Sequence, residues 1–353
     1  MQASDWRMPG TGFTSWKSGR FHNGWQVVFL LALFALTGCD TPPAPATSHT
    51  ASTASAGWPR TLQTPKGPLT LTQPPRRIVS TSVTLSGTLL AINAPLAGSG
   101  ATSPNTAVSD DHGFFRQWSA QAKAQGVKAL YITEPNAEAI AATAPDLIII
   151  AATGGDSALK LYDQLVSVAP TLVVDYGDKS WQQLAEYLGY ATGHDSDASQ
   201  VIARFEQRVL EVKQAIVLPP QPVSALVYYE DGRGVNLWTR ASAQGQLLSE
   251  LGFQLATLPD NLPTETRMGK RQDIVQISGE NMAGSLNGQS LLLFANDEHT
   301  VNRLTANPFL SHLEPVVQHR VWAMGADTFR LDYYSASNML AQIERFFARQ
   351  PAG

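Results

Sequence analysis

Residues 146–150 read Asp-Leu-Ile-Ile-Ile, directly after Pro145. A strand that is apolar on both faces cannot lie on a surface; it belongs to a mostly parallel sheet with helices over both sides. Pro145 lacks the N–H a helix interior needs, so it ends the short helix expected over 136–144 and leads into this strand. The alternation holds on both sides of it. Arg76–Ser82 reads as a strand running into a helix through Leu85, Leu89 and Leu90. Strands follow at 96–100 and 130–132, then a helix at 158–168, a strand at 171–174 and a helix at 181–188.

The next segment breaks the alternation. Val201, Ile202, Phe205, Val209, Val212 and Ile216 recur at helical spacing, with Arg204, Arg208, Glu211 and Lys213 on other faces. Pro219, Pro220 and Pro222 stop this helix, the longest in the chain, and Asp195 and Asp197 before it are suited to cap it. A second α/β series begins at 223–229 and continues with a helix at 243–251, strands at 252–255, 291–294 and 321–324, and a closing helix at 335–348. The expected architecture is therefore α/β: two α/β lobes with a ligand cleft between them, joined by a single long α-helix. The divisions fall at 58–195 for the first lobe, 196–218 for the connecting helix and 219–353 for the second lobe. One helical connector resists bending more than paired flexible strands, so lobe closure is expected to be modest.

The N-terminus is a separate matter. Arg7, Lys17 and Arg20 precede an uncharged apolar run, 27–36. As a helix it would rise only about 15 Å, half a bilayer core, so it reads as an export signal rather than a membrane span. The run ends Leu36-Thr37-Gly38-Cys39, similar to the lipobox of bacterial lipoproteins, in which the cysteine is lipidated after cleavage. Cys39 is the only cysteine in the 353 residues, which excludes an intramolecular disulfide, a CxxC redox pair and a cysteine zinc site. A free thiol beside an ordinary cleavage site is the alternative. Residues 1–38 are read as signal peptide and 39–57 as a flexible tether, a stretch of Pro, Ala, Ser and Thr with no large apolar side chain to repay its ordering. Asp40 follows the cysteine, and the likeness to enterobacterial lipoproteins, where an Asp there is associated with retention at the inner membrane, implies the same location. Met8 is a second candidate start.

Only 15% of residues are charged, against about 25% in ordinary chains. No basic stripe is available to neutralise phosphates, so nucleic-acid binding is not expected. The seven histidines show neither HExxH nor i,i+4 pairing, so no metal site is expected. Asp110-Asp111-His112 resembles a fragment of a hydrolase site, but no Gly-x-Ser-x-Gly elbow supplies a nucleophile. No catalytic residue is assigned. A membrane-tethered α/β hydrolase is the poorer alternative.

The two-lobe plan, with segments Arg77–Leu85, Ala152–Leu159, Asn236–Thr239 and Thr328–Ser335, resembles the cluster-A periplasmic binding proteins. These receptors for iron siderophores and cobalamin feed ABC importers. The resemblance runs from about Trp58 to Phe347 and does not include the lipobox or tether. The member that the chain most resembles is soluble in the periplasm, so a lipid anchor is a departure. The resemblance implies a non-enzymatic periplasmic receptor with no bound cofactor; a receptor that docks a permease dimer is expected to be a monomer, and the lipobox-like stretch, not the resemblance, points to tethering at the inner membrane through Cys39. The receptor's ligand would be ferric enterobactin or a similar ferric catecholate, delivered to an inner-membrane ABC permease. A hydroxamate siderophore, haem or cobalamin remains open on the same scaffold.

In α/β sheets ligands sit outside the carboxyl ends of strands, so loops 80–84 and 152–157 are expected to face one cleft. Gly154-Gly155 could present N–H groups to an anion, though such pairs more often only permit a tight turn. Trp238 with Arg240 and Phe329 with Arg330 are aromatic–arginine pairs in expected second-lobe loops. Spacing alone favours the aromatics as core and the arginines as solvated. The resemblance implies that Trp238, Phe329 and Arg330 contact the siderophore. It also calls for a first-lobe arginine in the loop matching 104–111, where this chain has Ala107. Arg240 is the expected substitute, with Arg116 a lesser candidate. The resemblance assigns permease docking to Glu138 and Glu280. Both lie near expected helix starts, where a carboxylate also favours the helix dipole, and Glu134 is the nearest competitor.

Overall fold

The computed structural model describes residues 57–258 and 272–349. The export signal, Cys39 and all but the last residue of the tether lie outside the described residues. A hairpin, β1 (Arg60–Thr64) and β2 (Gly67–Leu71), precedes the first α/β series and is absent from the sequence reading. The series runs β3 (Ile78–Ser80), α1 (Val83–Ala91), β4 (Leu96–Ala101), α2 (Arg116–Ala124), β5 (Lys128–Ile132), α3 (Ala137–Ala141), β6 (Leu147–Ala151), α4 (Tyr162–Leu165), β7 (Thr171–Val174) and α5 (Trp181–Thr192). Its strands form one parallel sheet in the order β5-β4-β3-β6-β7. β6 is buried along its whole length. Leu147 and Ile149 enter one core and Ile148 and Ile150 another, as required of a strand covered on both faces. Each such side chain contributes about 1.5–3 kcal/mol by leaving water.

The long helix α6 (Asp195–Ala215) follows. Asp195 and Asp197 lie in its first turn rather than at its cap. His194 occupies the cap position and makes no capping bond to a helix N–H; its ring meets Asp197 at 3.1 Å and Asp195 pairs with Arg60 at 2.7 Å, while both acids also favour the helix dipole. The second series comprises β8 (Val223–Tyr229), β9 (Gly234–Trp238), α7 (Ala243–Glu250), β10 (Ile274–Ile277), α8 (Met282–Ser285), β11 (Ser290–Leu293), α9 (Glu298–Thr305), α10 (Glu314–Val317), β12 (Val321–Ala323) and α11 (Tyr333–Phe347). The sheet order is β10-β9-β8-β11-β12, with β9 antiparallel to both neighbours.

Three further expectations are corrected. Residues 158–168 hold only a 3-10 turn and the single turn α4. Residues 252–255 make one bridge, Val223 to Leu255, and no strand. Trp238 is not in a loop: it ends β9 and is 5% exposed.

The two sheets share a core. Val201, Phe205, Val209 and Val212 of α6 and Met339, Leu340, Ile343 and Phe347 of α11 are buried in the same cluster as Ile149 and Leu292. The junction is completed at the start of α11. Asp332 caps that helix with Ser335 in a reciprocal capping box, and its carboxylate also accepts from Gln117 of α2 at 3.3 Å. No described helix is long and apolar enough to cross a membrane.

Candidate functional site

In the first sheet the chain winds outward from β3 through β4 to β5, then returns to add β6 on the other side of β3. Loops leaving β3 and β6 must therefore diverge, and the crevice between them is where α/β sheets hold ligands. Asp156, in the loop after β6, lies in that crevice. One oxygen, Oδ2, accepts from the Ser82 hydroxyl at 2.5 Å and from the Thr84 N–H at 3.0 Å. Ser82 is also the N-cap of α1, its Oγ accepting from the Leu85 N–H at 3.3 Å. The other oxygen, Oδ1, accepts from the Tyr176 hydroxyl at 3.1 Å, just past β7. Gly154 makes this possible. Its φ is +98°, and a Cβ there would stand 2.0 Å from the Tyr176 hydroxyl. Burial and the Asp156 carboxylate push the Tyr176 phenol up, opposed by Arg330.

Beside this network is a hollow of about 380 Å³, bounded by Thr81, Gly100, Thr102, Tyr131, Gly155 and Asp156 among others. The Tyr131 hydroxyl donates to the Thr81 carbonyl at 2.6 Å, and burial pushes its phenol up. The Thr81 hydroxyl is buried and has no hydrogen-bond partner among the described residues. Thr84, Phe115 and Tyr176 also line a narrower crevice closed by Arg330, Leu331 and Asp332 of the second lobe. Loops 80–84 and 152–157 thus face one cleft, as expected.

From the second lobe, Arg330 lays its guanidinium 4.3 Å from the centre of the Tyr176 ring. It makes no ion pair among the described residues. Phe329 is 41% exposed and meets Trp238 edge-on, ring centres 5.4 Å apart. The loop that carries Phe329 and Arg330 is fixed by Gln244, whose side-chain amide donates to the Thr328 and Phe329 carbonyls at 2.9 and 2.8 Å. The structure therefore brings together Trp238, Phe329 and Arg330. Arg240 is exposed and lies with Trp238, Thr257 and Asn287 around a different hollow, of about 230 Å³. Arg116 is engaged locally: its guanidinium donates twice to the Thr106 carbonyl, at 2.9 and 3.2 Å, bracing the loop that carries Ala107. Lys179, which the sequence reading passed over, lines the crevice beside Arg330 and pairs with Asp178 at 2.6 Å.

Glu138 is exposed in the first turn of α3, whose cap Asn136 accepts from the Ala139 N–H at 2.9 Å. It has no ion-pair partner among the described residues, whereas Glu134 pairs with Lys160 at 2.9 Å. Glu280 lies in a 3-10 turn after β10 and borders an open hollow of about 1120 Å³ with Glu230, Arg303 and Phe309. This hollow is lined by second-lobe residues only. Asp110, Asp111 and His112 are close enough to share a cation. The Lys123 ammonium already stands 3.0 Å from Asp111 and 3.5 Å from Asp110, and with His112 it draws the Asp111 carboxyl down to about 2.

Asp156, Tyr176 and Tyr131 went unnoticed in the sequence. The available signal was position, each standing at or just beyond the carboxyl end of a parallel strand. The Gly154-Gly155 pair carries the expectation of anion binding. In the structure Gly154 makes room for a tyrosine, and the charged neighbour is an acid.

Comparison with known proteins follows the same lines. Residues 78–328 match the family described as Periplasmic binding protein. The Ferric enterobactin-binding periplasmic protein FepB of Escherichia coli O6:H1 is 53% identical over 300 residues, covering 85% of this chain and 94% of that protein. The probable siderophore-binding lipoprotein YfiY of Bacillus subtilis is 28% identical over 237 residues, 66% of this chain and 67% of that one. Among solved structures, holo-ViuP matches with a TM-score of 0.73 at 33% identity, covering 83% of this chain and 96% of that one. The FhuD protein from S. pseudintermedius, at 19% identity and a TM-score of 0.61 over 83% of this chain and 99% of that one, shares the fold.

Proposed function

The chain belongs to the periplasmic binding protein family, receptors rather than enzymes, and from that premise we propose that it captures ferric enterobactin or a similar ferric catecholate. A ferric tris-catecholate is trianionic and rimmed with aromatic rings. It calls for a cation whose charge is not already spent and for aromatic faces beside it. The observation that carries the reading is Arg330, held at the inter-lobe crevice on an aromatic ring instead of a carboxylate. Phe329 supplies exposed aromatic surface next to it, and Trp238, packed edge-on behind that ring, is the proposed further aromatic contact. Arg240 is proposed as a further contact at the Trp238 end, in place of a cation at Ala107. The extensive likeness to a protein named for ferric enterobactin supports the same ligand class.

The loaded receptor delivers its ligand to an inner-membrane ABC permease. Glu138 and Glu280, exposed and one on each lobe, are the proposed docking carboxylates. The lobes are taken as 58–195 and 219–353 with 196–218 between them, and the receptor as a monomer. Lipidated Cys39 would hold it to the inner membrane through the 39–57 tether; replacing Cys39 with Ala should release it to the soluble periplasm. Tryptophan fluorescence of the purified protein tests the ligand. Ferric enterobactin should quench it and ferrichrome should not. Quenching by ferrichrome alone would transfer the reading to a hydroxamate receptor.

A further inference from the structure

We propose that Tyr176 is the positioning residue for Arg330, so that the first lobe contributes a seat for the second lobe's cation. This rests on the reading of Arg330 as a ligand contact. Arginine on a long side chain at a cleft is ordinarily steered by a carboxylate, which fixes the guanidinium but also neutralises it. Here the guanidinium lies 4.3 Å from the ring centre of Tyr176 and makes no ion pair among the described residues. A ring face holds a planar cation in place and leaves its N–H edge and most of its charge available to an anion.

The seat is itself fixed. Tyr176 is 6% exposed, and its hydroxyl donates to Asp156 at 3.1 Å. Asp156 is immobilised in turn by the Ser82 hydroxyl and the Thr84 N–H. Gly154 leaves the space that the Tyr176 hydroxyl occupies. The Asp156 carboxylate is thus turned toward three donors of its own lobe and forms no ion pair with the guanidinium. The arrangement spans the two lobes, which makes the placement of Arg330 depend on their apposition. It also suits a first lobe with Ala107 at the position expected to carry an arginine: that lobe supplies orientation while the second supplies charge.

The alternative is that Tyr176 touches the ligand directly, since its ring lines the hollow. A double-mutant cycle separates the two, because a residue acting only through Arg330 has nothing left to lose once Arg330 is gone. Affinity for ferric enterobactin is measured by fluorescence titration for Arg330→Gln, Tyr176→Leu, Tyr176→Phe and the Arg330→Gln/Tyr176→Leu pair. Tyr176→Leu should weaken binding roughly ten-fold, the scale of a desolvated cation–π contact. Tyr176→Phe, which keeps the face, should stay within about three-fold, and the double variant should bind no more weakly than Arg330→Gln alone. Should Tyr176→Leu not fold, Tyr176→Met takes its place in the cycle. Additive losses in the double variant, or full affinity in the single Tyr176 variant, overturn the proposal and leave Arg330 as a ligand contact. Full affinity in Arg330→Gln overturns the ligand-site reading itself.

Discussion

Asp332 offers a test of how the two lobes are joined. It is a carboxylic acid buried at the cap of α11, accepting from the Ser335 N–H at 2.8 Å, the Ser335 hydroxyl at 3.1 Å and Gln117 of α2 at 3.3 Å. Burial is the largest influence on it and pushes its pKa up, outweighing those three donors, and the neighbouring Asp327 adds to the rise. A raised carboxyl pKa means that the folded protein holds the proton more tightly than the unfolded chain. Below the ordinary range near 3.8 the group is protonated in both states and stability does not depend on it. As pH climbs, the unfolded chain ionises first, and stability falls by up to about 1.4 kcal/mol per pH unit until the native carboxyl ionises too. Asp332→Asn removes this titration. Asparagine caps helices as well as aspartate does. Its amide can also donate to the Gln117 carbonyl oxygen, which is buried without a partner. Urea denaturation of both proteins from pH 4 to 8 gives the difference directly. The variant should gain on the parent as pH rises, then level off, and the total rise from the acid side to the plateau, divided by about 1.4 kcal/mol, is the native pKa displacement in pH units. Asp327 is present in both proteins and largely cancels. A difference that stays flat from pH 4 to 8 would refute the argument that this junction buries a reluctant acid.

Three further outcomes are expected. Gly154→Ala forces an L side chain into a positive φ, about 1–2 kcal/mol, and evicts the Tyr176 hydroxyl from Asp156, about 1.5–3 kcal/mol more; a melt showing less than about 1 kcal/mol of destabilisation would contradict the close approach. Arg240→Ala should weaken ferric catecholate binding if Arg240 makes up for Ala107, and unchanged affinity in a titration would remove it from the site. Glu138→Arg combined with Glu280→Arg should abolish uptake in cells while leaving ligand affinity of the purified protein intact; normal uptake would end the docking assignment.

Much of the fold could be read from the residues because its dominant signals are local. The apolar run of β6, the Pro145 stop and the helical spacing from Val201 to Val212 each report a burial pattern that needs no knowledge of neighbours. What escaped depended on partners distant in sequence. The β1–β2 hairpin is stabilised against α5 and β7, and β9 is a strand because β8 and β10 flank it, which also turned Trp238 from a loop residue into a buried one. The site divides in the same way. Phe329 and Arg330 were visible as an aromatic–cation pair. Tyr176 and Asp156 acquire meaning only when sheet order places the loops after β6 and β7 opposite Arg330. Asp195 and Asp197 stand one and three residues past the cap, inside the first turn, because an acid favours a helix start in either position.

The central claim is that the crevice between the lobes holds a ferric catecholate. Locating the iron tests it most directly. Crystals of the protein grown with ferric enterobactin, measured at the iron absorption edge, should show one anomalous peak in the hollow beside Tyr176, with Arg330 directed at the chelate. A peak in the second-lobe hollow beside Glu280 and Phe309, or no bound iron at saturating ligand, would contradict the account.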